Sequence, residues 1–172
     1  MDKARILIVD DSNTKRSIYK DMMVKEGYFV IEAVDGEDGI KKARSEFPDV
    51  IITDLAMPNM DGFKMVEMIK KDERTKYVPV ICVSATYKDI VSKMRALNEI
   101  GAEEYFYMPE NTDDLLLKVK VMLRVRHLYT ELLEKNKQLK TFNTAAVDRE
   151  LRMVELKKKI KSLEEELTKY RK

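Results

Sequence analysis

The sequence predicts an α/β fold in which a five-stranded parallel sheet lies between two layers of helices. Short β-branched runs alternate with amphipathic, charged stretches, and several of these runs are almost wholly apolar, as expected for strands covered on both faces. All glycines and prolines stand at or before Pro109, so nothing after it interrupts a helix. These observations favour a doubly wound sheet of strand order 2-1-3-4-5, followed by a long helical extension.

The predicted elements alternate along the first part of the chain. Strands are predicted over residues 6–9, 28–33, 49–54, 78–84 and 103–108. Helices are predicted to begin near Thr14, Gly36, Phe63, Lys88 and Thr112. In a parallel sheet of this kind the working residues lie at the carboxyl ends of the strands, so candidate site residues are expected there.

The length and the charge distribution divide the chain into two parts. With 172 residues and 44% hydrophobic composition, the chain can bury one sizeable core and carry an appendage. Residues 1–110 carry 17 Lys and Arg against 21 Asp and Glu, a net charge of −4, whereas residues 111–172 carry 16 against 10, a net charge of +6. We therefore predict a globular domain over residues 1–123 and a helical extension over residues 124–172.

The sequence contains no segment that predicts export or membrane insertion. Its longest apolar run is only a few residues, which is too short for a signal peptide or a membrane span. The single cysteine, Cys82, lies in the apolar run VPVICVSA, which favours a packed small side chain over a reactive thiol. We expect a cytoplasmic protein with no membrane partner.

The helical extension carries an apolar seam with alternating spacings of three and four residues, which is typical of a coiled coil. The apolar seam positions are Val125, Leu128, Leu132, Leu139, Phe142, Ala146, Met153, Leu156, Ile160, Leu163, Leu167 and Tyr170. The seam is imperfect, because Lys135 and Arg149 occupy two further positions of the repeat. The segment TFNTAAVD at 141–148 is poor in strong helix formers, so a hinge there is an alternative to one helix. A continuous helix from Thr112 would be about 90 Å long, and most of its seam would have to meet another chain. We expect a homodimer, whose flanking charges permit a parallel arrangement without requiring it.

Specific polar groups follow three of the predicted strands. Asp10 and Asp11 follow the first strand, Asp54 ends the third, and Ser84 ends the fourth. A single acidic residue after a strand is more often a helix cap or a turn former than a ligand. In the strand order 2-1-3-4-5, however, the first, third and fourth strands are neighbours, and their carboxyl ends bring all four residues into one shallow cleft.

The crowded carboxylates of this cleft predict a bound cation. Carboxylates that lie close together repel one another, and a cation removes the conflict. Oxygen ligands without histidine or thiolate favour Mg²⁺, held by one or two carboxylates, waters and a substrate phosphate. A carboxylate shielded in this way can attack phosphorus and form an aspartyl phosphate, with the Ser84 hydroxyl available to donate to a phosphoryl oxygen.

Four stretches of the sequence resemble the receiver domain of two-component response regulators, which has a flavodoxin-like fold. They are IVDDS at 8–12, DLAMPNMDGF at 54–63, VSA at 83–85 and GAEEYFYMP at 101–109, and the resemblance covers about residues 1–123. It implies that Asp54 accepts a phosphoryl group from a histidine kinase or a related phosphotransfer protein. It also implies that Asp11, Asp54 and the backbone carbonyl of Ala56 ligate Mg²⁺, while Asp10 acts through water.

The same resemblance implies how the domain signals. Ser84 would respond to the phosphoryl group, and Tyr105 would be the coupled aromatic switch. The chain would be a phosphoacceptor, with no enzyme activity beyond its own phosphorylation and dephosphorylation. The resemblance also suggests a cis peptide between Met108 and Pro109, which the low cost of the cis form before proline permits.

The sequence departs from the family at Met108. In receivers the residue before the proline of the fifth strand is ordinarily a lysine, whose ammonium group pairs with the phosphoacceptor carboxylate. Methionine carries no charge, and the neighbours Tyr107 and Glu110 offer no cation in its place. Two interpretations remain open: a receiver that is phosphorylated but switches atypically, and a phosphorylation-independent docking scaffold. The intact nucleophile and metal ligands favour the first.

The end of the extension admits further interpretations. Residues 148–167 resemble the helical linkers of some sensor histidine kinases, although any coiled coil shares much of this pattern. The chain as a whole could be the N-terminal fragment of a longer regulator. Lysines cluster at 157–161, but three glutamates follow at once and no DNA-reading motif is present, so nucleic acid is not an expected partner.

Overall fold

A computed structural model of the chain describes residues 3–86, 89–107 and 112–170, with the backbone alone for Thr112 and residues 167–170. The chain separates into two compact units, Met1–Tyr129 and Thr130–Lys172. The first unit contains the whole sheet, and the second is helical as far as Tyr170. The domain boundary predicted after residue 123 stays a prediction.

Five parallel strands form one sheet in the order β2-β1-β3-β4-β5, which confirms the predicted fold class. The strands are β1 (Arg5–Val9), β2 (Phe29–Ala33), β3 (Val50–Asp54), β4 (Val80–Ser84) and β5 (Glu104–Tyr107). The central strands β3 and β4 are buried along their whole length, as their continuous apolar runs predict. Because β1, β3 and β4 are neighbours, their carboxyl ends lie side by side at one edge of the sheet.

Five α-helices connect or follow the strands. They are α1 (Asn13–Lys25), α2 (Gly36–Glu46), α3 (Gly62–Lys71), α4 (Ile90–Met94) and α5 (Thr112–Tyr170), and a π-helical turn at Arg95–Glu99 follows α4. Side chains cap the first four helices, because the carboxylates or hydroxyl of Ser12, Asp35, Asp61 and Asp89 accept the amide hydrogen three residues on. The predicted start of the fourth helix, Lys88, lies outside the described residues.

The two faces of the sheet carry separate apolar cores. One face packs against α1 and the first turns of α5, and its core includes Tyr19, Ile52, Phe106 and Leu115. The other face packs against α2, α3 and the π-helical turn. Helices on both faces leave the carboxyl edge of the sheet as the open place for a site.

The helical unit exposes the predicted seam. Seam residues such as Leu139, Phe142 and Ile160 are more than half exposed in the single chain. Residues 141–148 are helical, and the hydroxyls of Thr141 and Thr144 donate to the carbonyls four residues earlier, at 3.1 and 3.0 Å. Among the described residues, no helix combines the length and the hydropathy that a membrane span requires.

The buried thiol of Cys82 gives the first unit a specific pH dependence. Burial raises the pKa of this thiol to about 12. In the unfolded chain the thiol ionises near pH 9, so its contribution to stability is complete below that pH and is lost as the pH rises towards 12. Between about pH 8 and about pH 10, we expect the free energy of unfolding of the native chain to fall by roughly 1 kcal/mol more than that of Cys82→Ala. Urea unfolding at the two pH values measures the difference, and identical pH dependence of both proteins would contradict it.

Candidate functional site

Three carboxylates gather at the carboxyl edge of the sheet. Asp10 and Asp11 follow β1, Asp54 ends β3, and one carboxylate oxygen from each lies within 4.8 Å of the others. Asp10 and Asp54 are buried, with 2% and 5% exposure, whereas Asp11 is exposed. The predicted cluster therefore has two buried members and one that faces solvent.

The loop after β3 fixes the position of the Asp54 side chain through a backbone hydrogen bond. Oδ1 of Asp54 accepts a hydrogen bond from the backbone N–H of Ala56 at 3.1 Å. The loop closes where the N–H of Gly62 donates to the carbonyl of Leu55 at 3.0 Å. A side chain at Gly62 would collide with the backbone carbonyl of Asp54, so only glycine permits this approach.

The backbone and the first helix fix Asp10. Its Oδ1 accepts the N–H of Ser12 at 2.8 Å, and the guanidinium of Arg16 donates to the backbone carbonyls of Asp10 and Asp11 at 2.7 and 3.2 Å. Burial, helped by the nearby charge of Asp54, raises the pKa of Asp10 to about 6, although the hydrogen bond from Ser12 opposes the rise. A buried carboxyl whose ionisation is disfavoured in this way is stabilised by a cation.

Lys15 on α1 supplies a positive charge to the cluster. Its Nζ lies 2.6 Å from Oδ2 of Asp54 and 3.5 Å from Oδ2 of Asp10. Partial burial lowers the pKa of Lys15, but the hydrogen bond and charge of Asp54, together with Asp10, outweigh burial and raise it. Among the described residues, Lys15 is the one basic side chain in an ion pair with Asp54.

A small cavity of about 80 Å³ adjoins these side chains. Its walls are formed by Asp10, Lys15, Tyr19, Asp54, Val83 and Ala85. The hydroxyl of Tyr19 is buried and has no hydrogen-bond partner within the part of the chain that the structure describes. The exposed surface of this cavity is mostly apolar, and its volume is enough for one or more water molecules.

Ser84 and Tyr105 lie beside the cluster, on β4 and β5. Ser84 is fully buried, and its Oγ accepts the backbone N–H of Thr86 at 3.2 Å. Tyr105 is 6% exposed. Burial raises the pKa of its hydroxyl, and a hydrogen bond with Ser84 opposes that rise. The structure thus links the predicted responder to the predicted switch residue.

The sequence alone did not indicate that Lys15 contacts Asp54. Met108, Pro109 and Glu110 lie outside the described residues. Lys15 is not a chain neighbour of Met108 and stands 39 residues from Asp54 in the sequence, so no local pattern joins it to the phosphoacceptor. One signal was available, since a lysine in the first turn of a helix opposes the helix dipole and needs another reason to be there.

The donor set fits a hard divalent cation. Three carboxylates within reach of one ion offer oxygen ligands, which Mg²⁺ prefers. The exposure of Asp11 leaves room for the waters that Mg²⁺ usually keeps. Burial is the main cause of the raised pKa of Asp10, with the charge of Asp54 adding to it, and a bound cation would favour the ionised form of this carboxyl.

A doubly wound domain with a buried aspartate at the end of β3 and an acidic pair after β1 is typical of a phosphoacceptor module. A family model described as the response regulator receiver domain matches residues 6–120. The chain belongs to this family, whose members act in two-component signal transduction. Receiver domains generally bind Mg²⁺ at an acidic pocket and interact with histidine kinases or phosphotransfer proteins.

The relatives of the chain differ in length. Protein PilH of Pseudomonas aeruginosa is 38% identical over 120 residues, which are 70% of this chain and 98% of PilH. A probable transcriptional regulator, ycf27, of Guillardia theta is 35% identical over 122 residues, and the chain spans only 46% of that protein. The crystal structure of a CheY-like receiver domain protein from Methanospirillum hungatei superposes with a TM-score of 0.68 at 30% identity, covering 74% of this chain and 99% of the other.

Proposed function

We propose that this chain is a response regulator that accepts a phosphoryl group on Asp54 with Mg²⁺ bound and signals through its helical extension. The observation that carries the proposal is the position of Asp54. It ends a fully buried strand, belongs to the carboxylate cluster and lines the small cavity. A carboxylate held in this way can act as a nucleophile, and the cavity beside it gives a phosphoryl group access to its oxygens.

The metal would be held by residues that the fold brings together. The carboxylates of Asp11 and Asp54 and the backbone carbonyl of Ala56 are the proposed ligands, and Asp10 would act through water. When bound, Mg²⁺ neutralises charge on the transferring phosphoryl oxygens. The N–H of Ala56 and the loop closed by Gly62 hold the Asp54 carboxylate in place for attack.

The transfer itself uses one lone pair of Asp54. A carboxylate oxygen attacks phosphorus, the new O–P bond forms, and the bond from phosphorus to the leaving group breaks. With acetyl phosphate the leaving group is acetate, which takes the electron pair of the broken bond, and no proton is needed. With a phosphohistidine of a histidine kinase or phosphotransfer protein, the departing imidazole nitrogen takes that electron pair and then a proton from water.

Ser84 and Tyr105 are the proposed path from the phosphoryl group to the surface. The tyrosine is buried on β5, and a hydrogen bond with Ser84 lowers the pKa of its hydroxyl. If Ser84 turns to donate to a phosphoryl oxygen, this bond is lost and the tyrosine ring is released to repack. Because position 108 holds methionine and not a cationic residue, we propose that this switch is atypical. The chain would have no enzyme activity beyond its own phosphorylation and dephosphorylation.

We also propose that the extension pairs with a second copy of the chain. The seam leaves large apolar side chains such as Leu156 and Ile160 exposed in the single chain. A repeat of this spacing buries such residues when two helices associate. A parallel or an antiparallel coiled coil would both bury them, and either would make the proposed output a change in dimerisation or docking.

Phosphorylation at Asp54 can be tested by intact mass spectrometry. The full chain is incubated with Mg²⁺ and acetyl phosphate beside an Asp54→Asn variant. We expect the native chain to gain the mass of one phosphoryl group and the variant to gain none, because an amide cannot act as the nucleophile. The same adduct on both proteins, or its absence from the native chain with acetyl phosphate and with a phosphorylated histidine donor, would overturn the proposal.

A docking scaffold is the second candidate, and α4 favours it. None of the residues of this helix is buried, and Ile90, Val91 and Met94 are each more than half exposed. Exposed apolar side chains grouped on one short helix are typical of a contact surface. A partner that binds the native chain and Asp54→Asn equally, with and without acetyl phosphate, would support this function.

A further inference from the structure

We propose that Lys15 supplies the positive charge that position 108 does not, pairing with Asp54 before transfer and with a phosphoryl oxygen afterwards. This inference rests on the proposed phosphorylation of Asp54. The sequence holds methionine where a cation is expected beside the phosphoacceptor. The structure brings a lysine to the same carboxylate from another element, the first turn of α1.

The geometry gives Lys15 direct contact with the reacting group. Its Nζ lies 2.6 Å from Oδ2 of Asp54, a short charge-assisted hydrogen bond. The other oxygen, Oδ1, is held by the N–H of Ala56 at 3.1 Å. Each carboxylate oxygen of Asp54 therefore accepts from its own donor: Oδ1 from the backbone of Ala56, and Oδ2 from Lys15.

The placement of Lys15 is explained by the site and not by its helix. Carboxylates suit the first turn of a helix, and a lysine there opposes the dipole. The first turn of α1 has no acidic residue that could pair with it locally. The side chain is 38% exposed, and its ammonium group is directed towards Asp10 and Asp54.

The charge at the site changes in a way that Lys15 can follow. An ionised carboxylate of charge −1 becomes an acyl phosphate of about −2, carried on oxygens beyond the original carboxylate. Lys15 and Asp54 both line the cavity of about 80 Å³. A flexible lysine has three donors and can move from the carboxylate oxygen to a phosphoryl oxygen without leaving the cavity.

A narrower role is that Lys15 only neutralises the carboxylates when no metal is bound. Both roles predict that removing its charge tightens Mg²⁺ binding, because Lys15 and the metal compete for Asp54. They differ at saturating Mg²⁺. A mere counter-ion would then leave the transfer rate unchanged, whereas a phosphoryl-binding residue would still be needed.

The test uses the full chain and four variants. Lys15→Met removes the charge and keeps an unbranched side chain, and Lys15→Arg keeps the charge. The double variant Lys15→Met with Met108→Lys removes the lysine of α1 and introduces a lysine at position 108, directly after β5 in the sequence. Lys20→Met is the matched control, since Lys20 lies on the same helix and pairs with Glu32 instead. Calorimetry measures the affinities for Mg²⁺ and for beryllofluoride, an acyl-phosphate analogue, and mass spectrometry measures the rate with acetyl phosphate at saturating Mg²⁺.

We expect Lys15→Met to lower the transfer rate and the beryllofluoride affinity by about 100- to 1,000-fold, the effect of losing one donor to a developing anion. Its Mg²⁺ affinity should rise. Lys15→Arg and the double variant should recover most of the lost rate, and Lys20→Met should match the native chain. If Lys15→Met leaves the transfer rate and the beryllofluoride affinity unchanged, the proposed role of Lys15 is wrong, while the proposed function stands. The same holds if the transfer rate falls and neither Lys15→Arg nor the double variant restores it. A native chain that takes no phosphoryl group and binds no beryllofluoride would overturn the proposed function as well.

Discussion

Replacing Leu156 by aspartate is expected to weaken self-association of the full chain by about 100-fold or more. Leu156 occupies a seam position and is 55% exposed in the single chain, so a second copy would remove it from water. Burying a leucine contributes about 1.5–3 kcal/mol, and a twofold dimer contains the residue twice. Aspartate would lose this contribution and place a charge in the seam.

The chain offers a matched control for this change. Leu151 lies on the same helix and is 59% exposed, but it stands outside the seam. Leu151→Asp carries the same loss of helix propensity and the same added charge, so we expect its dissociation constant to stay close to that of the native chain. Sedimentation equilibrium over a range of concentrations measures all three proteins. Equal weakening by both substitutions, or a native chain that is monomeric at high micromolar concentration, would contradict the proposed coiled coil.

Gly62→Ala is expected to lower the free energy of unfolding of the first unit by roughly 3 kcal/mol. An added methyl group would press on the carbonyl oxygen of Asp54 and lie 2.8 Å from the Cα of Leu55. These are backbone atoms, so relief requires moving the end of β3 itself. The same movement would displace the phosphoacceptor, and we expect slower transfer from acetyl phosphate.

Gly27→Ala separates this collision from the ordinary cost of replacing a glycine. Gly27 has φ of 88°, but nothing lies within 4 Å of an added methyl group. Its substitution should therefore cost only the strain of a left-handed alanine, about 1–2 kcal/mol. Urea unfolding measures both variants. A Gly62→Ala protein no less stable than Gly27→Ala would show that the loop after β3 adjusts freely.

The strands and most of the site could be predicted because each depends on a local pattern. Continuous apolar runs predicted β3 and β4, and the acidic residues that follow β1 and end β3 predicted the cluster of Asp10, Asp11 and Asp54. The strand boundaries differ from the predicted ones. The fourth strand was predicted from residue 78, but β4 begins at Val80. Val78 is buried but lies outside the strand. An apolar pattern indicates burial and does not distinguish a buried strand residue from a buried residue next to a strand.

Lys15 could not be found from local patterns because its importance depends on distance in space. The contact with Asp54 forms only after α1 packs on the sheet beside β3. The π-helical turn after α4 has a similar explanation, since no local signal distinguishes its backbone from that of an ordinary helix. The link between Ser84 and Tyr105 also needs the pairing of β4 with β5.

The burial of Cys82 has a practical consequence for studying the proposed output. It is the single cysteine of the chain, and it lies within the sheet with no exposed surface. A maleimide probe attached to a cysteine introduced on the extension would therefore label that position while the native thiol stays protected. Spin labels or fluorophores can thus report distances between two extensions before and after phosphoryl transfer, with the native core left unaltered.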